Sequence, residues 1–181
     1  MKLKSTLMDR EAVFRSLRRI THEIIERNKG TDNLCLIGIL SRGADIAKII
    51  AENIKMIEGV CVNVGVLDIY PHRDDLEKED DKYENKTDIP FSIEGKNVVL
   101  VDDVLFTGRS TRASMDALMK LGRPSKILLA VLIDRGHREL PICANFTGKN
   151  FPTSRTELIK VLVDRIDGET CVKLYDTENE D

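Results

Sequence analysis

The apolar run Val99-Leu100-Val101 ends in two adjacent carboxylates, Asp102 and Asp103. Val104-Leu105-Phe106 then leads into Thr107-Gly108-Arg109-Ser110-Thr111. Two acids at the carboxyl end of a strand can accept hydrogen bonds from a pair of vicinal hydroxyls. The turn behind them offers hydroxyls, backbone N–H groups and, where a helix opens, the positive end of its dipole, which together attract a phosphate. The combination suits a phosphorylated sugar. A plainer reading is that the acids merely cap the next turn. Neighbouring side chains on a strand also point to opposite faces, so both serve one ligand only where the backbone turns.

Three further strings place charged groups in turns. Ser41-Arg42-Gly43 follows an apolar run and, by itself, is a connecting turn with a solvated cation. Arg73-Asp74-Asp75-Leu76 opens a stretch crowded with acids and, by itself, is a charged surface loop. Asp134-Arg135-Gly136-His137-Arg138-Glu139-Leu140-Pro141 follows another apolar run and is the most distinctive of the three.

The elements that carry these turns alternate between strand and helix. Asp9 is placed to cap a helix over 10–28, in which Val13, Phe14, Leu17, Ile20, Ile24 and Ile25 recur at helical spacing and face a core. Its polar side carries Arg15, Arg18, Arg19 and His22, and Gly30 with Asp32-Asn33 ends it. Residues 34–40 form a continuous apolar run, as expected of a strand covered on both faces. The turn at 41–43 precedes a helix from Ala44 to about Asn53, with Ile46, Ile49 and Ile50 inward. Strands are predicted over 60–69, 98–104 and 127–133, and a helix over 110–121 that Gly122 and Pro124 stop. Residues 70–90 hold Asp74, Asp75, Glu77, Glu79, Asp80, Asp81 and Glu84 with few apolar side chains, so a mobile excursion is expected. Residues 135–156 read as mostly loop with room for short strands, 158–163 and 171–175 as peripheral strands, and 178–181 as a frayed tail.

Such alternation implies an α/β fold with a mainly parallel central sheet flanked by helices. Ligands in these sheets lie beyond the carboxyl ends of the strands, so the turns at 41–43, 70–75, 102–111 and 134–138 should gather on one edge. No repeat or linker divides the chain, and residues 1–181 are expected to form a single domain.

Hydrophobic residues are 41% and charged residues 33% of the chain, the balance of a soluble globular protein. No run of about 18 apolar residues is present to span a membrane. No apolar stretch follows Met1-Lys2-Leu3-Lys4-Ser5-Thr6, so no secretory signal is expected and the location is read as cytoplasmic. Cys35, Cys61, Cys143 and Cys171 form no C-x-x-C pair and are expected to be reduced and buried, and three histidines are too few and badly spaced for a zinc site. A net charge of −3 excludes a chain covered in basic charge but leaves room for a local basic patch.

The segment from Val99 to Thr111 resembles the 5-phosphoribosyl diphosphate (PRPP) signature of type I phosphoribosyltransferases: a hydrophobic strand, two acids, then a T-G-x-[ST]-like loop. The resemblance implies that family's fold, with a flexible hood loop. It places Asp102 and Asp103 on the ribose hydroxyls and Thr107, Gly108, Arg109, Ser110 and Thr111 around the 5′-phosphate, with Val104, Leu105 and Phe106 completing the PRPP or UMP site. Ser41 and Arg42 then look like the diphosphate loop, Arg73 brings a hood cation to the leaving group, and the loop from Asp134 covers the base. Arg42, Arg73, Asp102 and Asp103 are the implied catalytic residues, with Mg2+ as cofactor held mainly through PRPP.

The string over 134–141, with Gly148-Lys149-Asn150-Phe151-Pro152-Thr153-Ser154, narrows the resemblance to the bifunctional pyrimidine-operon regulators within that family. Arg27-Asn28-Lys29-Gly30, Arg73-Asp74-Asp75-Leu76 and Met115-Asp116-Ala117-Leu118 extend it over nearly the whole chain. It implies uracil and PRPP as substrates, UMP as product and effector, and a homodimer or higher homo-oligomer. It also implies a pyrimidine-operon leader mRNA as partner, bound through Arg18, Arg19, His22, Arg27, Arg138, Lys149 and Arg155. Aromatic residues are only 4% of the chain, so base stacking adds no support for RNA, and the plain reading of those cations is a solvated surface. Phe106 stands where that group has Tyr, Ser110 and Ser41 where it has Thr, Tyr70-Pro71-His72 replaces a Thr-Leu-Tyr-like stretch, and Cys143 replaces an Arg. A purine (hypoxanthine/guanine-type) phosphoribosyltransferase without an RNA role is the alternative.

Overall fold

The apolar runs read from the sequence form one sheet because each is covered on both faces. The computed structural model describes residues 1–73 and 83–177. Asp74, Asp75, Glu77, Glu79, Asp80 and Asp81 of the expected excursion, and the expected frayed tail, lie outside the described residues. The order is β1 (Lys2–Met8), α1 (Arg10–Asn28), β2 (Leu34–Ile39), α2 (Arg42–Glu58), β3 (Asn63–Leu67), β4 (Asn97–Leu105), α3 (Arg109–Leu121), β5 (Lys126–Asp134), β6 (Phe146–Asn150), β7 (Glu157–Leu162), the single turn α4 (Asp164–Asp167) and β8 (Cys171–Asp176). A 3-10 turn spans Tyr70–His72.

Five strands pair in the order β3-β2-β4-β5-β6, all parallel. Along β4, Val99 and Val101 pack with α1 and α2, while Val98 and Leu100 pack with α3. That alternation explains why β2 and β4 read as unbroken apolar runs. β1, β8 and β7 form a separate antiparallel sheet of three strands.

Asp9 caps α1 as expected, its carboxylate accepting from the Ala12 N–H at 2.8 Å. Three expectations need correction. The helix predicted from Ala44 begins at Arg42 and runs to Glu58, because Ile54 continues the buried stripe and Gly59 supplies the left-handed end. β1 was not predicted, since only Met8 of its residues is buried and it shows no alternation. Residues 135–156, read as mostly loop with room for short strands, contain one, β6, which adds a parallel edge strand beside β5. Cys35 and Cys171 are buried, but Cys61 and Cys143 are exposed, and all four are free thiols.

Candidate functional site

The chain leaves β2 toward β3 on one side and returns to β4 on the other, so the strand order reverses between β2 and β4. A crevice opens at the carboxyl ends of strands at such a point. Here its walls are the start of α2 after β2 and the loop after β4. A Cβ on Gly43 would lie 2.5 Å from the Val101 carbonyl oxygen and 3.2 Å from the Asp102 Cα, so only glycine lets α2 begin against the acid pair. The Leu40–Ser41 peptide in this wall is cis.

Two adjoining cavities, about 330 and 220 Å³, meet at Arg73, Asp102, Val104 and Ser110. The larger is lined by residues 104–111, and the smaller by Ser41, Arg42 and Asp103. The two acids diverge as adjacent strand residues must. They nevertheless face one space because the crevice wraps around the strand's end. Each carboxylate accepts from the next backbone N–H, Asp103 N to Asp102 at 2.9 Å and Val104 N to Asp103 at 2.8 Å.

Asp102 is only 8% exposed. Burial first, and the neighbouring Asp103 charge second, hold its pKa well above the usual carboxylate range, while the Arg73 cation pulls the other way. Arg42 faces the same crevice but carries a bidentate pair with Asp167 of α4, at 2.7 and 3.1 Å. Arg42, expected in the diphosphate loop, thus lines the smaller cavity with two of its three guanidinium nitrogens on Asp167.

The loop after β4 and the loop after β5 are built as one unit. Gly108 takes φ +92°, a left-handed value that glycine tolerates, and opens α3. Thr107 O accepts from the N–H groups of Glu139 at 3.0 Å and Leu140 at 3.2 Å. Arg138 donates to the carbonyls of Phe106 (2.7 Å), Gly136 (3.0 Å), Ile142 (3.0 Å) and Leu105 (3.3 Å), and pairs with the Asp134 carboxylate. Asp134 also accepts from Gly136 N at 3.0 Å. Asp134 therefore shapes the loop and lines neither cavity, and Arg138, expected to bind RNA, braces the same loop.

Glu139, which the sequence did not single out, lines the larger cavity and pairs with Arg109 at 2.8 Å. Arg135, also missed, is 4% exposed; it stacks 4.0 Å from the Phe106 ring centroid and donates to Thr153 Oγ1 and the Glu157 carbonyl. Their only signal was membership in the charged string after β5.

A second feature lies on α1 and β6. Arg19, expected to bind RNA, donates to the carbonyls of Thr147 (2.9 Å) and Gly148 (2.6 Å), which docks α1 on β6. Arg18, His22, Arg27 and Lys149 remain exposed on these two elements, and Arg15, Arg19 and Lys149 border one groove. Arg27 leans over the Phe146 ring at 5.8 Å. Arg155 is exposed in the segment between β6 and β7.

A family model described as a phosphoribosyl transferase domain matches residues 4–153. Curated relatives named bifunctional protein PyrR are similar over nearly full length. The one from Acetivibrio thermocellus is 56% identical, covering 97% of this chain and 96% of its own. That from Clostridium botulinum is 56% identical, covering 99% and 100%. The Thermus thermophilus protein is 54% identical, covering 98% and 99%. Among solved structures, a hypoxanthine-guanine phosphoribosyltransferase from Bacillus anthracis superposes with TM-score 0.66 at 20% identity, covering 83% of this chain and 84% of that one. The hypoxanthine phosphoribosyltransferase of Trypanosoma cruzi gives 0.69 at 18%, covering 97% and 98%. At such identity the two structures speak for the fold alone.

Proposed function

The chain belongs to the phosphoribosyltransferase family and to its bifunctional PyrR branch, and on that premise we propose that one domain over residues 1–181 joins uracil to PRPP, releasing diphosphate, and binds a pyrimidine-operon leader mRNA as a UMP-responsive regulator of transcription attenuation. A cytoplasmic location follows from that work, and among the described residues no helix is long and apolar enough to cross a membrane.

One observation carries the transferase reading: the buried Asp102, Arg73 and the hydroxyl-rich loop opening α3 line a single cavity at the strand-order reversal. In the reaction the bond from C1′ to the diphosphate oxygen breaks and a bond from C1′ to uracil N1 forms, the uracil N1 proton leaving to solvent. The transition state is oxocarbenium-like, so positioning and stabilisation of developing charge do the catalysis. Residues 107–111 anchor the 5′-phosphate. Asp102 and Asp103 accept from the ribose hydroxyls, and Arg73 meets the departing diphosphate. Arg42 reaches that group through Nη1, or by loosening its hold on Asp167. The loop after β5, braced by Arg138, covers the base and keeps water from the ribosyl cation.

Among the described residues, no group of three or more ligating side chains converges on a metal position. Two carboxylates facing a cleft with basic walls fit Mg2+ that arrives on PRPP, with Asp102 and Asp103 beside it. When bound, Mg2+ supplies positive charge to the diphosphate.

Base identity is tested by competition. Labelled uracil should become UMP with PRPP and Mg2+, and excess hypoxanthine should leave the rate unchanged. Preferential use of hypoxanthine would replace this reading with the purine one.

A further inference from the structure

Asp68 follows β3 and is 5% exposed, yet it lies outside both cavities of the site. Its carboxylate accepts from three donors on two chain segments: Tyr70 N at 3.0 Å, Lys86 N at 3.1 Å and the Tyr83 hydroxyl. Its own N–H donates to Thr87 Oγ1 at 3.1 Å. Beside it, the Tyr70 and Tyr83 rings stack with centroids 4.3 Å apart. Val66 and Asp88 exchange both backbone hydrogen bonds, at 2.8 and 2.9 Å. The segments 66–73 and 83–88 are thus pinned together at one carboxylate.

A buried acid with no function in a fold is expensive. Burial pushes the Asp68 pKa up, but the Tyr83 hydroxyl and the two N–H groups, helped by the Lys86 charge, outweigh it and hold the group below the usual range. It is therefore an anion at neutral pH and accepts from all its donors. Downstream of Tyr70 the chain makes one 3-10 turn, the His72 carbonyl accepts from Arg112 of α3 at 3.1 Å, and Arg73 reaches the Asp102 crevice. Asp68 fixes the start of that turn and Arg112 its end.

We propose that Asp68 is a positioning residue for the transferase step, setting Arg73 at the departing diphosphate by clasping segments 66–73 and 83–88 to each other. The proposal rests on the transferase reading above. Asparagine at 68 keeps the shape but turns an N–H pair toward donors, so the clasp loosens.

The test is a double-mutant cycle on full-length protein: wild type, Asp68→Asn, Arg73→Ala and the double variant, each assayed for kcat with saturating uracil, PRPP and Mg2+, and for UMP affinity by calorimetry. UMP carries no leaving diphosphate. Asp68→Asn should lower kcat by about tenfold to a hundredfold while UMP affinity stays within about twofold of wild type. In the Arg73→Ala background it should lower kcat no further. Tyr83→Phe, which removes one donor only, should give a smaller loss of kcat with the same dependence on Arg73, and serves if the Asn variant does not fold. Equal losses with and without Arg73, or an unchanged kcat, overturn the proposal. A wild-type protein that binds UMP but never converts uracil overturns the transferase reading itself, and the proposal with it.

Discussion

Asp102 is held where its charge is least welcome. Its folded pKa is raised, first by burial and then by Asp103. A group raised in the fold contributes stability below its unfolded value, ~3.9, and that contribution is lost as pH rises through the folded pKa. At pH 7 the fold therefore carries a cost at this site that the Asp103 N–H and the Arg73 charge only partly offset. Asp102→Asn should melt at a higher temperature than wild type at pH 7, with the difference shrinking as pH falls toward 4, while losing most uracil conversion. An equal or lower melting temperature at pH 7 would contradict the buried-charge argument. Asp167 has the opposite sign: the Arg42 pair holds it low, so its contribution is present above the unfolded pKa and lost in acid. The acid pair and the hydroxyl-rich turn could be placed at one crevice from the sequence because both follow the same apolar run. The partners of Arg42 and Arg138 could not, since Asp167 lies 125 residues from Arg42 and the carbonyls that hold Arg138 have no side-chain signature.

At the scale of elements, legibility followed burial. β2, β4 and β5 are covered on both faces and announced themselves as apolar runs. β1 and β6 lie at sheet edges with few buried positions, so neither period nor hydrophobicity marked them. The loops after β4 and β5 read as two separate turns, whereas Arg138 and the Thr107 carbonyl stitch them into one. That coupling separates two cations that the sequence grouped together. Arg138→Ala removes the side chain that donates to Asp134 Oδ2 and to the Phe106, Gly136 and Ile142 carbonyls, while Asp134 Oδ1 keeps Gly136 N and the Leu105 carbonyl keeps Arg135 N. It should cost about 2 kcal/mol of stability and impair uracil conversion as well as RNA binding. His22→Ala, on the exposed side of α1, should weaken RNA binding and leave uracil conversion near wild type. Steady-state kinetics and filter binding on both variants check this, and full transferase activity in Arg138→Ala would show that the two loops are not one unit.

For the whole molecule, a net charge of −3 means that RNA can be held only where cations concentrate. Arg18, His22 and Arg27 are exposed on α1 and Lys149 on β6, the strand against which Arg19 docks α1, and these are the cations proposed to meet RNA. The cavity proposed to hold the nucleotide connects to this region through packed groups. Residues 106–107 bond to the loop after β5, Arg135 of that loop bonds to Thr153 and the Glu157 carbonyl flanking Arg155, and β6 holds Arg19 of α1. A route alone does not create coupling; UMP must bind the RNA-competent state more tightly than the other. If it does, saturating UMP should raise affinity for a pyrimidine-operon leader RNA by about 5-fold to 150-fold, and RNA should raise UMP affinity by the same factor. Increasing salt should lower RNA affinity in both conditions, and Arg18→Ala should reduce the salt slope by about 0.7 without changing the UMP factor, because a phosphate contact on α1 adds affinity equally to both states. Titrations of labelled leader RNA at several salt concentrations, with and without UMP, measure both quantities. Identical affinities with and without UMP would leave the transferase site intact and remove the regulatory coupling.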